Sequence, residues 1–560
     1  MFSNEAIVSH ASSQEIRGHD SQHLMEVCRI RPSGLAGLCL FLVIGCAGVL
    51  DLFVARSMST TYDELPSVSY GEQILHGQPD RSDPLVNSKA PVAALNALPR
   101  VLAGYLNSEA MPSLLRILRS MRCARLASVL AALLLNIFVY RWVYALYGTA
   151  AAIAASILVV FSPNLIAHGT LANNDGYFAL GVVGSLFFFR HYLLHPTLGN
   201  ACLSAFALAT AQLTKAFAIY IYAVVLIILL LSWIDKKGRP PLGNVRNVVA
   251  FVSIALIFFV LVLNVGFCFD RSFTPLKSYH FDSQSFIRLQ KVPIVRDLPV
   301  PVPYPFLQGL DMLKYHDDSG LTYGKIYLLG ELRDPLDPSF HNFKLYYVVA
   351  ILFKEPIAVQ ILFCIGLLWI WRNRRYGDFI TAEALLLLAA ALLFLWFSLF
   401  RKSQLGIRNI LPVVAIEVII AGAAFARFSA KPRKAQISLG LLVLWACVST
   451  MSYYPNMIAY MNEWVLDRKE AYKVLVDSNL DFGQEGSLVH EFLIQNPDVA
   501  LDPEKPTGGR VLVSVNRLVG EFQGYEPMYW LLRYRPVGRV GYGHLLFIVP
   551  ANDVASGTRN

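Results

Sequence analysis

Long apolar runs separated by short polar connectors occupy most of this chain. A bilayer core needs about 20 apolar residues per helix, and windows of that length predict about eleven spans. They fall at 34–54, 123–144, 150–163, 176–194, 201–216, 219–233, 248–269, 345–371, 382–400, 410–426 and 437–454. Residues 92–106 carry apolar positions at helical spacing, interrupted by Asn96 and Arg100. That pattern suits either a surface helix lying in the membrane interface or a short helix packed on the bundle. The connection from 270 to 342 is long, polar and rich in proline and aromatic residues.

After residue 454 the pattern changes. Apolar runs shorten to strand length at 510–515 and 544–549, while 471–476 and 488–494 have helical spacing, and Gly, Pro and Asn punctuate between them. The expected fold is therefore an all-α polytopic membrane bundle of about eleven helices with a small α+β domain at the C-terminus. The expected division is 1–33 as a cytoplasmic segment, 34–454 as the membrane domain with outer loops 55–120 and 270–342, and 455–560 as an extracytoplasmic soluble domain.

Composition agrees with a membrane protein: of 560 residues 55% are apolar and 16% charged, and mean hydropathy is +0.48. The formal charge of +9 reads as lysines and arginines in cytoplasmic loops rather than as a nucleic-acid surface. The clusters Lys236/Lys237/Arg239, Arg372/Arg374/Arg375 and Arg427/Lys431/Arg433/Lys434 all fall on one side of the span count, which the positive-inside rule makes cytoplasmic. The first loop, the 270–342 loop and the tail then face outward. Arg401, Lys402 and Arg408 break this bias, standing outside where cations are scarce. The run 34–54 is too long for a signal-peptide core and is read as a retained span. Cysteines lie mostly in apolar runs and form no CxxC, so neither a disulfide framework, a metal site nor a cofactor is expected.

Three outward places carry polar residues that a bundle alone does not need. The first is the loop at 60–91, which opens on Asp63 and Glu64 and closes on Lys89 before Pro91. A carboxylate there can take a proton and a lysine can hold a phosphate, although acids after a span are also ordinary loop residues. The second is FSPNLIAHGTLANNDGY at 161–177, which breaks a span and supplies Asn164, His168, Asn173, Asn174 and Asp175. His168 also fits a satisfied interface histidine, and Asp175 also fits a helix N-cap. The third is the cation group Arg401, Lys402 and Arg408, with Lys354 in a Lys-Glu-Pro turn. Ionisable groups at membrane depth default to functional hypotheses, and arginine forks match phosphate oxygens. Snorkelling to lipid headgroups is the plainer account of Arg401 and Lys402.

The order DE at 63–64, NSKAP at 87–91, SPN…D in the second outer loop and LGIRNILP at 405–412 resembles the GT-C superfamily of membrane glycosyltransferases. The similarity is greatest to the protein O-mannosyltransferase and lipid A aminoarabinose transferase group. LFKEP at 352–356, DSNLDFGQE at 477–485 and YWLLRYRPV at 529–537 in the tail are also similar to that group. The resemblance implies an inverting glycosyltransferase of the bacterial inner membrane, multi-pass, with a cytoplasmic N-terminus and periplasmic tail. It implies a polyprenyl-phosphate-linked monosaccharide donor, and an acceptor hydroxyl on protein, lipid or polysaccharide. It implies Asp63 as base with Glu64 or Asp175 orienting, and Lys89 and Arg408, with Arg401, Lys402 and Lys354, on the phosphate. His168 and Asn174 are expected on the sugar or acceptor. The contrasting expectation from another class is a flippase or transporter of a lipid-linked sugar without chemistry.

Overall fold

The computed structural model describes residues 34–79, 90–106, 111–234, 245–320, 324–373 and 382–551. The first apolar run forms helix α1 (Gly34–Ser57). Only 22% of its apolar window is buried inside the protein, so most of its surface is left to lipid. Helices α2 (Glu64–Leu75) and α3 (Ala93–Gly104) follow. They approach so closely that a Cβ at Gly71 would stand 2.3 Å from the Ala93 carbonyl oxygen. Helix α3 rests Asn96, Ala97 and Ala103 on the bundle and turns Leu95, Leu98 and Leu102 outward. Of the two roles open to residues 92–106, packing on the bundle is the one its buried face fills.

The bundle continues with α4 (Leu126–Tyr147), α5 (Thr149–Val160) and α6 (Pro163–Gly169). It goes on through α7 (Asp175–Leu194), α8 (Leu198–Ala211), α9 (Tyr220–Ile234) and α10 (Val245–Gly266). The long loop carries α11 (Tyr304–Ser319) and a hairpin of β1 (Ile326–Leu328) and β2 (Glu331–Arg333). Then come α12 (Tyr346–Lys354), α13 (Ile357–Asn373), α14 (Glu383–Leu399), α15 (Leu411–Ala421) and α16 (Arg433–Met451).

Among the described residues six helices are long and apolar enough to cross a membrane, or up to eight if each of two bent pairs counts as one span. The expectation of about eleven assumed that every apolar run is one straight helix of bilayer length. Several runs are shorter, and two are broken. Helices α5 and α6 meet at 59°, where Ser162 caps the new helix and Pro163 begins it. The run at 345–371 is not one straight helix. Helices α12 and α13 meet at 110°, because Pro356 forces Glu355 into extended backbone. Helix α15 lies at the centre: 94% of the apolar window spanning Ile407–Ala430 is buried. Gly366 of α13 lets it come close, since a Cβ there would stand 2.2 Å from the Ile420 carbonyl oxygen.

The tail has two parts. Residues 456–485 fold back onto the bundle. Met457, Ile458 and Phe482 pack with Val54 and Met58 of the first span and with Ile166 and Leu171. The expected helix at 471–476 is instead a 3₁₀ turn over Arg468–Lys473. Beyond it, α17 (Gly486–Gln495) covers a four-stranded sheet in the order β3-β4-β6-β5. Its strands are β3 (Ala500–Leu501), β4 (Gly509–Ser514), β5 (Gly538–Val540) and β6 (His544–Val549). Strand β4 pairs antiparallel to β6, and β3 lies parallel on its other side.

Candidate active site

Asp63 stands at the N-terminus of α2 but makes no capping bond with its side chain. The carboxylate is therefore available, and it accepts a hydrogen bond from Arg408 Nη1. The same guanidinium lies 3.9 Å from Asp175 and 4.6 Å over the Phe482 ring. Asp175 begins α7, where the helix dipole favours a carboxylate. It accepts from Lys215 Nζ at 2.7 Å and from Asn173 at 3.2 Å. Lys215 also reaches Asn409 at 3.3 Å. Four segments far apart in sequence thus form one row of alternating charge, Asp63–Arg408–Asp175–Lys215.

The tail sets this row in place. Gly406 has φ +71, and a Cβ there would stand 2.3 Å from Ser478 Oγ, so the turn before Arg408 requires glycine. Asn479 accepts from Ile407 N–H at 3.1 Å, while Tyr346 OH accepts from Gly406 N–H at 3.1 Å. Backbone bonds from Tyr62 N–H to Phe482 at 3.1 Å and from Ser59 N–H to Gln484 at 2.9 Å hold the loop that carries Asp63. Asp477 also faces Arg408. Burial raises its carboxyl above the usual range, and the guanidinium opposes that rise.

Glu64, adjacent to Asp63, has a different environment. It is fully buried and accepts from Arg125 at 2.6 and 2.7 Å, from Thr61 N–H at 2.9 Å and from Ala172 N–H at 2.9 Å. Arg125 gives its remaining donors to the carbonyls of Ala55, Met58 and Ser59. Lys354 is likewise buried, donating to the Ile458 and Asn479 carbonyls at 2.6 and 2.7 Å. Asn164 ties Lys354 O to Glu355 at 2.6 and 2.7 Å. The structure does not bring Lys354 into the charged row; its ammonium joins the α12 turn to the tail.

Arg401 and Lys402 are also apart from the row. Arg401 donates to Asp317 at 2.7 Å and stacks 4.9 Å over Phe217, and Lys402 Nζ donates to the Asp318 carbonyl at 3.1 Å. These cations fasten α11 of the long loop to the bundle. His168 is buried with Nδ1 lacking a partner, and Asp175 is its largest charged influence. Asn174 is the N-cap residue of α7 but makes no side-chain cap bond. Lys89 lies outside the described residues.

Residues 114–265 match the family model described as dolichyl-phosphate-mannose-protein mannosyltransferase. That stretch contains Asp175 and Lys215, and it supports the resemblance to GT-C membrane glycosyltransferases. No curated protein matches the chain. Among solved structures the chain is similar to ArnT from Cupriavidus metallidurans bound to undecaprenyl phosphate, at 14% identity over 90% of this chain and 97% of that one, with a TM-score of 0.46. The apo state of the same protein gives 15% identity over 81% and 75%, with a TM-score of 0.44. The Archaeoglobus fulgidus oligosaccharyltransferase complex with Zn and sulfate gives 14% over 80% and 57%, with a TM-score of 0.37.

Sequence reasoning missed Lys215. It lies inside the expected span at 201–216, where a lone cation is itself the kind of intramembrane charge that marks a site. Phe482 and Asp477 were visible only as members of a tail motif. No local pattern could place them under Arg408.

Proposed function

We propose that this protein is an inverting membrane glycosyltransferase that moves a monosaccharide from a polyprenyl phosphate to an acceptor hydroxyl on the outer face of the inner membrane. The observation that carries the reading is the charged row: Asp63, partly exposed and making no capping bond, pairs with Arg408, and Asp175 links that arginine to Lys215. In the reaction the acceptor oxygen bonds to the anomeric carbon and its proton passes to Asp63. The bond from that carbon to the phosphate oxygen breaks, and its electron pair leaves with the phosphate. Arg408 and Lys215 stabilise the charge that develops there, and Asp175 holds both cations in position. Binding of the phosphate draws Arg408 from Asp63 and frees the carboxylate for the acceptor.

The test is transfer by the purified protein in nanodiscs, using polyprenyl-phosphate mannose and other polyprenyl-phosphate monosaccharides. Asp63→Asn abolishes transfer if Asp63 is the base, whereas an unchanged rate removes it from that role. The breaks at Pro163 and Pro356 favour one second reading, a flippase for the same lipid-linked sugars, because discontinuous helices often line transport sites. Flipping by the parent without any transfer supports that reading instead.

A further inference from the structure

One group of aromatic and acidic side chains lies beside the charged row. Tyr62 precedes Asp63, and its ring is 56% exposed. It sits edge-on between Phe482 at 6.2 Å and Phe522 at 6.4 Å. Its hydroxyl faces four tail acids, Asp477, Asp481, Asp502 and Glu521. Three of them have protein partners or a nearby arginine. Asp481 accepts from Ser514 Oγ at 2.7 Å, Asp502 accepts from Ser514 N–H at 2.9 Å, and Asp477 leans on Arg408.

Glu521 differs. Its residue is 3% exposed, and its Oε2 has no hydrogen-bond partner among the described residues. Asp477 and Asp481 are the charges that face it. A buried polar atom left unsatisfied costs about 1–3 kcal/mol, so its presence calls for an account.

Chemistry selects the ligand. An exposed aromatic ring beside convergent carboxyl groups is the pairing that recognises a pyranose, with C–H bonds against the ring and hydroxyls to the carboxyls. Arg408 and Arg517 already face these acids, beside Asp477 and Asp502 respectively, so positive charge is supplied by the protein. Burial, with Asp477 and Asp481 adding, pushes the Glu521 carboxyl up to about 9. Such a shift favours the protonated form, which can both donate to and accept from a hydroxyl. Among the described residues no three His, Cys, Asp or Glu side chains are arranged to hold a metal ion.

We infer that Tyr62, Phe522, Asp477 and Glu521 form an acceptor subsite for a neutral carbohydrate, whose attacking hydroxyl it presents to Asp63. This rests on the transfer reading. It makes the tail the part of the protein that chooses the acceptor, and it makes Glu521 and Tyr62 specificity residues rather than catalytic ones.

The test uses the full chain in nanodiscs and saturation-transfer NMR with methyl α-mannopyranoside, methyl β-glucopyranoside and glucosamine as probes. The neutral glycosides bind the parent. Glu521→Gln and Tyr62→Ala each weaken that binding roughly tenfold, the effect of losing one good contact. Thermal unfolding provides the control. A structural Glu521 would make Glu521→Gln less stable, whereas a ligand-directed one leaves stability equal or higher.

Failure of the parent to bind either glycoside overturns the subsite. So does binding confined to glucosamine, or binding indifferent to both variants. A parent that binds the glycosides yet transfers nothing overturns the transfer reading and leaves the sugar site standing. A parent that transfers, with acceptor KM unchanged in both variants, overturns the subsite and leaves the transfer reading standing.

Discussion

Two arginine–carboxylate pairs stand one residue apart in this protein, and they have opposite surroundings. Glu64 and Arg125 are 0% and 1% exposed, and their lone pairs and donors meet protein partners on several sides. Asp63 and Arg408 are 37% and 11% exposed, and among the described residues the Asp63 carboxylate accepts from this single arginine. Both pairs join the first outer loop to a distant helix. The first is satisfied, and it staples α1, α2 and the segment before α7. The second retains hydrogen-bonding capacity and faces outward. Charge and sequence position do not separate the two acids; their partners and exposure do.

That contrast can be broken most sharply at Asp63. Asp63→Asn should lower transfer by about 10²–10⁴-fold, the usual worth of a general base, while circular dichroism and thermal unfolding stay at parent values. Next comes Arg125→Met. It strands Glu64 without a counter-charge in a dry site and should cost about 3–5 kcal/mol of stability, read as an earlier thermal transition. Equal loss of fold in Asp63→Asn would erase the distinction between the two pairs.

Lys215→Met extends the comparison to the far end of the row. It should lower kcat about 10²-fold, as removal of one charge-stabilising donor does elsewhere, with acceptor KM unchanged. Arg401→Met should cost about 2 kcal/mol of stability through its bond to Asp317, with the transfer rate of the folded protein unaltered. A fall in transfer rate instead would return Arg401 to the phosphate.

The smallest expected effect concerns pH. Burial raises the Glu485 carboxyl from 4.5 to about 7, even though the Tyr542 and Gly543 amides stabilise its charge. A folded pKa above the unfolded one adds stability that is full below pH 4.5 and is lost as pH rises through about 7. The thermal transition of the parent should therefore fall across that window, and Glu485→Gln should flatten the slope.

Much of this was legible in the sequence. Bilayer-length apolar runs gave the bundle, and period and punctuation gave strands β4 and β6. The Asp63, Asp175 and Arg408 positions stood out as polar residues where lipid-facing helices need none. The breaks were harder. Pro163 was read as a break, whereas Pro356 was absorbed into an apolar run whose length looked sufficient for one span. The charges at 401, 402 and 354 were grouped with Arg408 on the phosphate, because composition does not reveal which acid or carbonyl a long side chain reaches. The tail was expected as a separate domain. Its residues 456–485 are short apolar and polar pieces whose partners, Val54, Ile166 and Tyr346, lie far away in sequence.

The account depends on where phosphate binds. Cryo-electron microscopy of the protein with a polyprenyl phosphate measures this directly. The expected map places the phosphate between Arg408 and Lys215, with Asp63 released from Arg408 and turned toward Tyr62. A phosphate seated on Arg401 and Lys402, with the Asp63–Arg408 pair intact, would contradict it.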